Sequence, residues 1–139
     1  MGSRGPASKK GTSLKFTPGV PDAPEWLDEV AREEYARVSA EMEKAGRDYL
    51  QQVDLSDLLT YAQGYSDVAR LTVKVRETGE TLQSARGGFY PNPDNNALQM
   101  AYNRMKAAAG RLGFSPSDRN RIGSKATGKQ RDDPLSNFV

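Results

Sequence analysis

Eight side chains between residues 104 and 131 are cationic: Arg104, Lys106, Arg111, Arg119, Arg121, Lys125, Lys129 and Arg131, against the single acid Asp118. That tract suits holding a polyanion, because phosphate contact needs only positive charge within reach. Lys9 and Lys10 add to it near the amino end, where residues 1–21 also carry Arg4 and Lys15 and no acid. Residues 24–45 show the reverse balance, with seven acids against three bases. The formal net charge is only +2, so the information lies in the segregation of charge and not in its total. The acidic block reads as solvated surface. For the basic tract, phosphate contact is preferred over plain solvation.

Other chemistry is poorly supplied. The 139 residues include no cysteine and no histidine, which removes disulfides, thiolate and imidazole metal sites, and any Ser-His-Asp triad. Gly87-Gly88 lacks the following Lys-Ser/Thr of a phosphate-binding loop. Asp54 and Asp57 sit where a helix should start, so capping accounts for them, and Asp132-Asp133 fall in a tail. A carboxylate-only nuclease would need several acids converging on rigid elements, and no spacing here forces that. No metal, cofactor or catalytic residue is assigned. No apolar run reaches a membrane-span length and no signal peptide is visible. The expectation is a cytoplasmic, non-enzymatic protein with no membrane partner.

The elements that must position the basic tract are helical. Residues 1–22 lack periodic apolar positions and read as a disordered basic arm. Pro24 opens a first helix, in which Leu27, Ala31, Tyr35, Val38, Met42 and Ala45 recur at three- and four-residue steps before Gly46 caps it. Trp26 at its entrance is expected in the core. A second helix starts at Asp54, with Asp57 completing an approximate capping box, and stops at Gly79. It has two apolar stripes, Leu58, Ala62, Tyr65, Ala69 and Val73 beside Tyr61, Val68, Leu71 and Val75. An outer helix needs only one. The second stripe therefore predicts contact with another helix or with a neighbouring subunit, and Tyr61, Tyr65, Val68, Leu71 and Val75 are the candidate oligomer interface.

Residues 80–93 predict a small hairpin or extended strap, pinned to the helices by Phe89 and Tyr90. Asp94 or Asn95 should cap a third helix with a stripe of Leu98, Ala101, Tyr102, Met105, Ala108, Ala109 and Leu112, ended by Gly113. Ser115 caps and Pro116 begins a short stub running to about Ile122. The fold class is all-α: a hairpin of helices one and two, a third long helix packed across it, a short C-terminal helix, a small extended insertion and disordered tails. Residues 23–123 form the helical domain and 124–139 a flexible tail. Leu135, Phe138 and Val139 give that tail an apolar end on a polar tether, the form of a docking peptide.

Two helices joined by a short Gly-containing turn suggest a helix-turn-helix. The order of pieces also resembles the small subunits of phage terminases. Pro24-Glu25-Trp26-Leu27 matches the Pro-Trp-Leu-like lead-in to their first helix. Asp54, Leu58, Tyr61, Ala62 and Tyr65 match an aspartate-opened second helix with spaced aromatics, and Asn92-Pro93 an extended element before the last long helix. Leu112-Gly113-Phe114-Ser115-Pro116 with Arg119 and Arg121 matches their closing pattern, with Phe114 where a leucine or isoleucine is commoner. The likeness spans about residues 22–123. It implies a helical protein that assembles into a ring, binds double-stranded viral DNA near the packaging start in the host bacterial cytoplasm, and presents it to a large subunit holding the ATPase and nuclease, with no catalysis of its own. Three other functions remain open on sequence: a dimeric DNA-binding transcription regulator, a structural head–tail connector without DNA binding, and, least favoured, a carboxylate-and-metal nuclease.

Overall fold

The structure is a computed structural model that describes residues 18–45 and 50–127, with side chains except at 53 and 123–127. Four helices and one small hairpin follow in order: α1 Glu29–Lys44, a 3-10 turn Gln52–Asp54, α2 Leu55–Thr78, β1 Thr81–Gln83, β2 Phe89–Pro91, α3 Pro93–Leu112 and α4 Pro116–Thr127.

α1 starts later than Pro24. Pro24 heads a turn closed by Leu27 N–H to its carbonyl at 3.2 Å, and Asp28 is the true cap, accepting from Ala31 N at 2.9 Å. A carboxylate one residue ahead of the helix satisfies an orphan N–H and meets the positive end of the dipole. The turn sends Leu27 inward and Trp26 outward: Leu27 is 3% exposed and Trp26 69%. The expectation of a core tryptophan is therefore corrected. The apolar phase of α1 runs Leu27, Ala31, Tyr35, Val38 and Met42, all buried, and a neighbour one step off that phase points away from it. Gly46, expected to cap α1, lies outside the described residues. The free arm expected up to residue 22 is tied down from Pro18 onward, where Gly19 N–H reaches Leu50 O at 3.2 Å and Tyr35 Oη donates to Pro21 O at 2.6 Å.

α2 is the central element. Its aspartate cap works differently from the expected box: Asp54 turns back to accept from Gln51 N at 2.9 Å, closing the 3-10 turn, and Asp57 is taken by an ion pair across to α3. α1 runs antiparallel to the first half of α2, with Glu34 against Tyr61 and Asp28 against Ser66. α3 runs antiparallel along all of α2, from Lys74–Asp94 at one end through Gly64–Met105 to Asp57–Arg111 at the other. The expected hairpin of the first two helices exists, but the tightest pair is α2 with α3. Gly64 permits it: a Cβ there would sit 2.9 Å from Met105 Cβ and 3.2 Å from Met105 Cα. The main core lies where α1, α2 and the end of α3 meet, built on Leu27, Tyr35, Val38, Met42, Leu58 and Leu112, with Phe114 packed against it.

The hairpin pairs β1 with β2 antiparallel, Leu82 opposite Tyr90. Gly87 takes φ 87° in the connecting turn, a region that favours glycine. Phe89 is 75% exposed and Tyr90 is exposed as well, so the aromatics do not pin the hairpin. Asn92 does. Fully buried, it caps α3 by accepting from Asp94 N at 3.0 Å, and its amide donates to Thr78 Oγ1 at 2.9 Å and Gly79 O at 2.8 Å. The cap is thus Asn92, with Pro93 in the first helical position, and neither Asp94 nor Asn95. Asn92→Ala orphans these partners and is expected to cost about 2–4 kcal/mol in urea unfolding.

Gly113 ends α3 in the left-handed region at φ 75°, as expected of a helix-stopping glycine. Ser115 then caps α4 by accepting from Asp118 N at 3.1 Å. α4 outruns the expected stop near Ile122, continuing through Gly123 to Thr127.

Candidate DNA-binding and assembly surfaces

The fold divides the basic tract into two groups. Arg104 and Lys106 are both exposed, and two residues apart on a helix they leave α3 on nearly opposite sides. Arg104 borders a groove over the α2–α3 seam together with Trp26, Gln63 and Asp67. Lys106 Nζ lies 5.5 Å from the Tyr102 ring centroid, a cation–π distance. The second group is engaged within the chain. Arg111 Nε donates to Asp57 Oδ1 at 2.7 Å, Arg119 Nη1 to Phe114 O at 2.6 Å, and Arg121 Nη2 to Asp118 Oδ1 at 3.3 Å. These three hold α4 and the end of α3 in place. The side chain of Lys125, and Lys129, Arg131, Lys9 and Lys10 entirely, lie outside the described residues, as do Leu135, Phe138 and Val139.

The candidate interface residues also separate. Leu71 and Val75 are buried, and they share the helical phase of Gly64 that looks toward α3. Val68 is half-buried. Tyr61 is half-buried as well, its ring edge-on to Phe114 with centroids 4.8 Å apart. Tyr65 is exposed, and so are Ala69 and Val73 at the next four-residue steps. The first sequence stripe is therefore the one left open. Leu58 and Ala62 are covered, and the stripe is open from Tyr65 onward, toward the start of α1. Sequence spacing identified the stripe but not which part α1 would cover.

The chain matches the model of the phage terminase small subunit over residues 31–129. That span takes in nearly all of α1 and the whole of α2, the hairpin, α3 and α4. The chain belongs to this family. No curated protein and no solved structure matches it. The family gives this terminase small subunit a role in phage DNA packaging. Among the described residues, no group of three or more acidic side chains could hold a metal ion, and no helix is long and apolar enough to cross a membrane.

One polar network joins the subunit's acidic helix to its centre. Glu34 is 5% exposed. It accepts from Arg37 at 2.6 and 2.8 Å and from Tyr61 Oη at 3.0 Å. The Arg37 guanidinium, with Tyr61 after it, holds the Glu34 carboxyl below its usual range. The Ala31 N–H, assisted by Ser66 and Gln63, does the same for Asp28. Burial, then the hydrogen bond to Glu34, pushes Tyr61 up to about 12. The linkage signs follow. Carboxylates lowered on folding contribute stability above their unfolded range, and that contribution disappears as pH falls through their folded values. A tyrosine raised on folding contributes below its unfolded value near 10, and loses it as pH rises toward 12. Stability in urea should therefore be flat near neutrality and fall on both sides. Glu34→Gln should reduce the acid limb, and absorbance at 295 nm should show two tyrosines ionising late, Tyr61 and the buried Tyr35.

Proposed function

We propose that the chain is a non-catalytic adaptor: it assembles as a homo-oligomer, binds double-stranded viral DNA in the host bacterial cytoplasm, and delivers it to the large terminase subunit, which supplies the ATPase and nuclease. The observation that carries this reading is the family match across all four helices. The segregation of charge supports it, with an acid-rich α1 and a carboxyl-terminal third that is basic. Segments of opposite charge let neighbouring subunits attract one another. The open stripe Tyr65, Ala69 and Val73 would add apolar area to the subunit contact, since Leu71 and Val75 are spent inside the subunit.

Native mass spectrometry with and without a duplex fragment tests the reading. A closed oligomer that retains duplex supports it. A dimer points instead to a transcription regulator, and an assembly that holds no duplex at low salt points to a structural connector. The carboxyl end, with Leu135, Phe138 and Val139, is the proposed dock for the large subunit. Because α4 reaches Thr127, the informative truncation removes 128–139. It should preserve assembly and abolish stimulation of the large subunit's ATPase, and undiminished stimulation refutes the docking role.

A further inference from the structure

We propose that α3, and not α4, is the helix that enters the DNA major groove, with Gln99 and Asn103 reading base edges and Arg104 and Lys106 gripping the phosphates on either side. The proposal rests on the packaging-adaptor reading and adds to it the site and the kind of sequence it prefers.

Four features of α3 carry it. First, α3 is an outer layer, packed on α2 with its far side open, and Asn96, Gln99, Asn103 and Lys106 are all exposed. Steps of three and four residues put the three amides in one line along the helix, with Lys106 beside it. Second, from Asn95 through Leu112 the helix contains no acid. Three carboxylates near it are paired: Asp94 with Lys74 at 3.0 Å, Asp57 with Arg111 at 2.7 Å, and Asp118 with Arg121 at 3.3 Å. Along α3 itself a polyanion meets no acid but Asp94, which is paired with Lys74.

Third, the asparagines are costly where they stand. Asparagine is a poor helix former, and an ordinary solvent face carries glutamate, lysine or arginine instead. Asn92 and Asn95 contribute to structure at the helix start, the second by donating to Glu80 O at 3.4 Å. Asn103 accepts only from Gln99, one turn back, at 3.2 Å, and Asn96 reaches only the Met100 sulfur at 3.8 Å. Local rules broken for no more return than one intrahelical side-chain pair mark functional positions. Fourth, the flanks are right for a groove. Arg104 and Lys106 leave the helix on either side of the amide line, where a helix in the major groove has one phosphate backbone on each side. Exposed Ala107 and Met100 beside the line offer apolar contact for thymine methyl groups. α4 fits the role less well, because Arg119 and Arg121 are committed to the chain's own oxygens.

Asparagine and glutamine pair bidentately with adenine N6 and N7, which fixes the test. The full chain is titrated by fluorescence anisotropy onto two 20-base-pair duplexes, one of A·T pairs only and one of G·C pairs only, across a salt series. The wild type should prefer the A·T duplex by roughly 5- to 150-fold for each amide contact made. The double variant Gln99→Ala, Asn103→Ala should lose that preference with the salt slope unchanged. Asn103→Asp, which keeps the size and adds a carboxylate, should weaken both duplexes about tenfold or more at low salt. Circular dichroism and native mass should match the wild type in every variant. Equal affinity of the wild type for the two duplexes, or an unaltered preference in the double variant, overturns the inference alone. A changed assembly mass in the amide variants also overturns it, because the face is then a subunit contact. A wild type that retains neither duplex at low salt overturns the adaptor reading and the inference together.

Discussion

Gly64→Val is expected to cost about 3 kcal/mol and to lower the melting temperature by roughly 10–20 °C, read by circular dichroism. A Cβ at Gly64 meets Met105 Cβ at 2.9 Å, Cα at 3.2 Å and N at 3.4 Å. None of these atoms can rotate away, so the added volume must push α3 off α2. Gly64→Ala is also destabilising, by about 1 kcal/mol, because the close contact outweighs the helix propensity that alanine brings. Met105→Ala does not rescue either variant, since it leaves the offending Cβ in place. Gly110→Ala gives the opposite outcome. Its Cβ would meet only the Asp118 carboxyl, at 3.6 Å from Oδ2 and 4.0 Å from Cγ and Oδ1, ordinary contacts, and removing a helix-interior glycine should stabilise by up to about 1 kcal/mol. Opposite signs from the same substitution in the two packed helices would establish that the α2–α3 spacing depends on Gly64.

That glycine also shows where sequence reading stops. The cues legible beforehand are local. Gly79 and Gly113 stop helices because their backbones adopt conformations other residues resist, and Ser115-Pro116 restarts one because a cap and a preset φ lie together. The periodic faces of α1 and α3 follow from a 3.6-residue repeat. Gly64 carries no such sign: within a helix it looks only like a weak point, and its purpose lies in Met105, forty-one positions away. Trp26 was misplaced for a related reason. Average burial favours the core, but the turn before Asp28 admits only Leu27. Phe89 and Tyr90 lie on opposite faces of a two-stranded ribbon that leaves both exposed. The basic tract was legible as charge, yet the fold ties Arg111, Arg119 and Arg121 to internal partners. The amide line of α3 carries no signal in the sequence, because asparagine marks turns and caps unless a helix passes through it.

Raising salt from 50 to 200 mM should weaken duplex binding about 10³-fold if three subunits of the assembly engage the same DNA through α3. Each exposed α3 supplies two cations without a carboxylate partner among the described residues, Arg104 and Lys106. Each phosphate contact contributes about −0.9 to the slope of log affinity against log salt on duplex DNA. A lone subunit with two contacts therefore loses only about tenfold over that fourfold rise in salt. Six contacts from three subunits give a slope near −5 and the thousandfold loss, so the slope counts the subunits on the duplex. Arg104→Gln with Lys106→Gln should remove nearly two units of slope for every engaged subunit, while Arg119→Gln should change it little, because that guanidinium is already held by Phe114 O. A slope that survives loss of the α3 pair would put the phosphate contacts elsewhere on the chain, and a slope near −2 in the wild type would mean that a single subunit holds the DNA.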